Sequence, residues 1–69
     1  MTKKDNKNLA YKLGAEILDS MTWDESHEYY AKGWRIFTAS HDKNGNESSI
    51  IISNGEKYKY INNPYNCDF

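Results

Sequence analysis

Sixty-nine residues, 38% of them hydrophobic, with a formal net charge of −1 and a single cysteine, leave room for one small core and no second domain. A chain this size buries only about 60% of the surface it exposes when unfolded, and Cys67, having no partner in the sequence, excludes an internal disulfide. The near-zero charge argues against a non-specific polyanion binder, and the longest aliphatic run, Ile50-Ile51-Ile52, is far short of the roughly 20 residues of a spanning helix. One domain over residues 1–69, in a reducing cytoplasmic compartment, is therefore expected.

In chain order, residues 1–7 read as a flexible basic arm, and they lead into an amphipathic segment, unlike a secretory signal. From residue 8 to 21 the residues Leu9, Ala10, Leu13, Gly14, Ile17, Leu18 and Met21 recur with helical period, opposite Lys12, Glu16 and Asp19. A long first helix is expected there, capped by Asn6 or Asn8, with Gly14 marking a close approach to a sheet. Thr22-Trp23-Asp24-Glu25 has the spacing of a capping box, and predicts a second helix ending near Lys32, with Gly33 beyond it. The segment HEYYAKGWRIF also reads as one extended strand.

After Trp34 the period changes to two. Residues 34–41, 47–52 and 56–61 are expected as strands, joined by turns at DKNGN and SNG. A three-residue second turn with a bulge at Gly55 groups Ile50, Ile52, Tyr58 and Tyr60 on one face and leaves Ile51, Lys57 and Lys59 outside. The tail, residues 62–69, has no period and reads as irregular, pinned by Tyr65 or Phe69. The expected fold is α+β: two N-terminal helices on one face of a three-stranded antiparallel meander, with Leu9, Leu13, Ile17, Ile36, Ile50, Ile52 and Tyr60 in its core.

No arrangement of chemical groups stands out. Asp42, Asn44 and Asn46 have the spacing of a calcium loop, but Glu47 and Ser53 occupy the positions where that loop needs glycine and a bidentate acid. A hairpin turn built on Asx side chains is the simpler reading. His27 and His41 have no second ligand at a metal spacing, so neither metal, cofactor nor catalytic residue is expected.

Two surfaces remain. Asp19, Asp24, Glu25 and Glu28 flank Trp23 and Tyr29 around the helix junction, a mixture of charge and amphipathic rings suited to a protein interface. Arg35, Lys57 and Lys59, with the N-terminal lysines, form the alternative, a nucleic-acid-binding sheet face in which a tyrosine stacks on a base. Ten aromatic residues exceed what one small core hides, which favours binding over catalysis. The abundance of Asn, Lys, Ile and Tyr, with one arginine against eight lysines, is that of an AT-rich genome. The leading expectation is a non-enzymatic protein-binding module. In this reading it is an accessory protein of a phage or mobile element that inhibits a host nucleic-acid enzyme through the acidic and aromatic surface. Pairing of sheet edges into a homodimer is a further possibility.

Overall fold

The computed structural model of the chain describes residues 2–62 and residue 64. Its first helix, α1 (Lys3–Leu13), starts earlier than the apolar period suggests because Thr2 caps it, its hydroxyl accepting from the Asp5 amide at 3.1 Å. The lysines expected in a flexible arm thus form the first turns of a helix. Asn6, expected as a cap, is fully buried in its interior. The helix stops at Gly14, whose φ of 71° is left-handed. The Gly14 amide donates to the Tyr11 carbonyl at 3.2 Å and the Ala15 amide to the Ala10 carbonyl at 2.9 Å, closing the helix end. A Cβ built on Gly14 would meet nothing within 4 Å, so this glycine serves the helix terminus and not a close approach to the sheet.

The chain beyond Gly14, expected as helix, is instead extended. β1 (Glu16–Leu18) runs parallel to β4 (Tyr58–Asn62), pairing Glu16 with Lys59 and Leu18 with Ile61. The same register continues to an isolated bridge between Met21 and Pro64. The expected capping box then opens α2 (Trp23–Ala31): the Thr22 hydroxyl accepts from the Glu25 amide at 3.2 Å, and the Glu25 carboxylate from the Thr22 amide at 3.3 Å. β2 (Arg35–His41) and β3 (Glu47–Ser53) complete a mixed sheet of order β1-β4-β3-β2. The α+β class holds, but the sheet has four strands and is not a three-stranded meander.

The helices also lie on opposite faces of the sheet. In β3 successive side chains point to opposite sides, yet Ile50, Ile51 and Ile52 are all buried. Ile50 and Ile52 pack with Met21, Trp34 and Ile61, with Tyr29 of α2 set against them. Ile51 packs with Tyr60 and Ala10, joined by Leu9 and Leu13 of α1. Double burial also explains the observed register. Ser53 pairs with Tyr58, leaving 54–57 as an even loop that sets Ile51 opposite Tyr60 and Ile52 opposite Lys59. The Asn54 side chain holds this loop, accepting from the Glu56 and Lys57 amides at 2.9 Å each. The expected grouping of Ile50 and Ile52 with Tyr58 and Tyr60 is therefore wrong. It assumed one covered face, whereas here each face needs its own apolar set.

Of the expected core, Ile50, Ile52 and Tyr60 are buried and Leu9 and Leu13 half-buried, whereas Ile17 and Ile36 stay about 40% exposed on the two edge strands. Beside the α1 cluster lies a buried polar layer. The Asn6 amide donates to the Ser49 hydroxyl at 2.9 Å and its carbonyl accepts from the Thr38 hydroxyl at 2.6 Å. Ser40 continues the layer to Ser48 and Ser49. The tail expected to be irregular begins inside β4 at Asn62. Tyr65, Cys67 and Phe69 lie outside the described residues.

Candidate functional site

The expected binding surface centres on α2, whose orientation is set at both ends. Thr22 and Glu25 fix its start, where Asp24 and Glu25 complement the positive end of the helix dipole. No basic residue lies in its last turn, and Arg35 of β2 takes that role. The Arg35 guanidinium donates to the Tyr30 carbonyl at 3.0 Å and the Trp34 carbonyl at 2.7 Å, with its carbon 5.4 Å from the centre of the Tyr30 ring. Inward, Ser26 is buried and Tyr29 lies edge-on to Trp34 at 5.7 Å between ring centres.

The rest of α2 faces outward. Trp23, His27 and Tyr30 follow one another along one side, and Asp24 and Glu28, a helical turn apart, form an acidic ridge beside them. Trp23 is 51% exposed and Tyr30 38%. Of the six residues expected here, Trp23, Asp24 and Glu28 share this surface. Glu25 is engaged in the capping box, and Tyr29 packs against the core. Asp19 stands apart, lining a groove with Lys3, Lys4 and Lys7 beneath α1. Tyr30, seven residues from Trp23 and on the same side of the helix by its spacing, was not among the residues expected in the interface.

The alternative cations do not converge on an open sheet face. Arg35 closes the end of α2, and Lys57 is exposed in the β3–β4 loop. Lys59 projects to the α2 side, where it forms an ion pair with Glu16 and lies 5.5 Å from the Trp34 ring centre and 5.9 Å from that of Tyr29. Its hydrogen bond and positive charge hold the Glu16 carboxyl below its ordinary value of 4.5, with a smaller contribution from Lys57. Tyr60 is buried, and Tyr58 is half-buried with its ring 5.3 Å from that of Phe37. The remaining exposed lysines include Lys4, Lys7 and Lys12 on α1.

Among the described residues no three His, Cys, Asp or Glu side chains come together as a metal site. In the DKNGN turn, Asp42 accepts from the Asn44 and Asn46 amides at 2.9 and 3.0 Å, the local Asx bonding that the turn reading requires. No described helix is long and apolar enough to cross a membrane. No protein-family profile, curated protein or solved structure matches the chain.

Proposed function

We propose that the chain is a non-enzymatic protein-binding module that contacts its partner through the outer side of α2. The observation that carries this reading is Trp23, half exposed on a helix whose start is fixed by a capping box, beside the Asp24 and Glu28 carboxylates. A large ring of this kind fills a pocket at little conformational cost, and the acids around it select a positively charged rim. A basic nucleic-acid-binding groove offers both, so the partner is a nucleic-acid enzyme and the module its inhibitor, made by a phage or mobile element against its host.

The test is capture from an extract of a low-GC bacterium on the immobilised full chain, compared with Trp23→Ala and with Asp24→Lys combined with Glu28→Lys. The reading expects a basic nucleic-acid enzyme that the parent retains, both variants lose, and heparin displaces. Equal capture by the parent and the charge-reversed variant refutes it.

A further inference from the structure

The lysines of α1 compose a second surface, on the side of the sheet away from α2. Asn6, Leu9, Ala10 and Leu13 point α1 into the sheet, which turns Lys4, Lys7 and Tyr11 outward along one ridge with the spacing i, i+3, i+7. Tyr11 is 61% exposed, more than any other large hydrophobic side chain described. It follows Lys7 by one helical turn and Lys4 by two, so the ridge runs about 10 Å along the helix. Lys12 flanks it, and Asp5 is the one acid in the helix.

The small net charge of the chain hides this arrangement. The acids Asp24, Glu25 and Glu28 belong to α2, across the sheet and both apolar clusters. Exposed charges farther apart than a Debye length of about 8 Å are largely screened from one another, so the α2 acids leave the α1 lysines their positive sign, which Asp19, in the groove with Lys3, Lys4 and Lys7, offsets only in part.

The geometry points to α1 as a binding surface for single-stranded nucleic acid: Lys4, Lys7 and Lys12 neutralise successive phosphates while the Tyr11 ring stacks on a base. Lysines alone would suit any polyanion. The exposed ring between them selects a strand whose bases are free to stack, which a duplex withholds. This surface shares no residue with the α2 site, so either can fail without the other.

The experiment measures fluorescence anisotropy of a labelled oligothymidylate and of a labelled duplex, titrated with the full chain at salt concentrations between about 50 and 200 mM. Three phosphates neutralised on a single strand give a slope of log K on log[salt] of about −2. Lys4→Ala combined with Lys7→Ala brings the slope to about −0.7. Tyr11→Ala weakens binding roughly tenfold and leaves the slope unchanged. Asp24→Lys with Glu28→Lys leaves α1-directed binding in place, which separates this test from that of the α2 site. All five substituted positions are exposed, and circular dichroism confirms that each variant is folded.

Three results overturn the inference. One is the absence of salt-dependent oligonucleotide binding. Another is duplex binding as tight as single-strand binding and indifferent to Tyr11→Ala. The third is a low-salt rise in sedimenting mass, abolished by Asp24→Lys with Glu28→Lys and unaccompanied by oligonucleotide binding, which assigns the lysine ridge to the acidic face of a second copy.

Discussion

Replacing Asn6 by alanine should remove much of what holds α1 to the sheet. The side chain is fully buried, and it makes two hydrogen bonds to different strands, donating to Ser49 of β3 at 2.9 Å and accepting from Thr38 of β2 at 2.6 Å. Each neutral bond contributes about 1 kcal/mol net, and a buried partner left unpaired costs about 1 kcal/mol more. The better helix propensity of alanine returns roughly 0.6 kcal/mol. The balance is a loss of about 2 kcal/mol, a large share of the roughly 3–5 kcal/mol that a core of this size supplies. Urea unfolding followed by circular dichroism should show the midpoint falling by about 2 M if the slope is near 1 kcal/mol/M. Asn8→Ala, on the exposed side of the same helix, should leave the midpoint unchanged or raise it slightly. Asn6→Asp should be worse than alanine at neutral pH, because it buries a charge and cannot donate to Ser49. That added loss should shrink under acid, where the protonated carboxyl donates again. Equal midpoints for Asn6→Ala and Asn8→Ala would refute the assignment of the polar layer as the link between α1 and the sheet.

Two further perturbations test other parts of the structure. Because Lys59 lowers the folded-state pKa of Glu16, the pair stabilises the fold fully above the unfolded value of 4.5 and loses that effect as pH falls through the lower folded value. The urea midpoint of the parent should therefore drop more steeply in acid than that of Glu16→Gln, and parallel curves would count against the pair. Asn62 has a buried side-chain oxygen with no hydrogen-bond partner among the described residues, so Asn62→Val should raise stability by about 1 kcal/mol, by removing the unmet acceptor and improving strand propensity. A lower thermal midpoint for that variant would show that the amide is satisfied in solution.

Local signals were legible in the sequence and long-range pairing was not. The capping box of Thr22 and Glu25 fixes α2 within a single turn, and the Asx turn at Asp42 closes on itself, so both can be read from neighbouring residues. β1 has no such mark. Its three residues continue the helical period of Leu9 and Leu13, and they become a strand because Gly14 ends α1 and β4 offers an edge 43 residues away in the chain. The run Ile50-Ile51-Ile52 carries the evidence for two covered faces, since alternation was expected and a continuous buried run was present. The same oversight misplaced the cations. Lys59 was read as facing water, whereas its side of the sheet is occupied by Trp34 and Tyr29. Lys3, Lys4 and Lys7 were assigned to an arm, although Thr2 stands three residues before Asp5 as a cap. The aromatic side of α2 followed more closely from sequence, because helical spacing alone aligns Trp23, His27 and Tyr30.

The place of β4 between β1 and β3 bears on the order in which the protein is made. Among the described residues β4 is the last element, and it joins the earliest strand to the rest of the sheet. Until it emerges during synthesis, β1 has no partner and β3 shows one bare edge. Three consecutive isoleucines lie on that edge, a β-rich uncharged run of the kind that attracts other chains. The hairpin of β2 and β3 can form early, but the fold closes only with a contact spanning most of the chain, and such non-local closure is slow. Shortening the chain within 58–62 should therefore cause aggregation rather than leave a smaller domain.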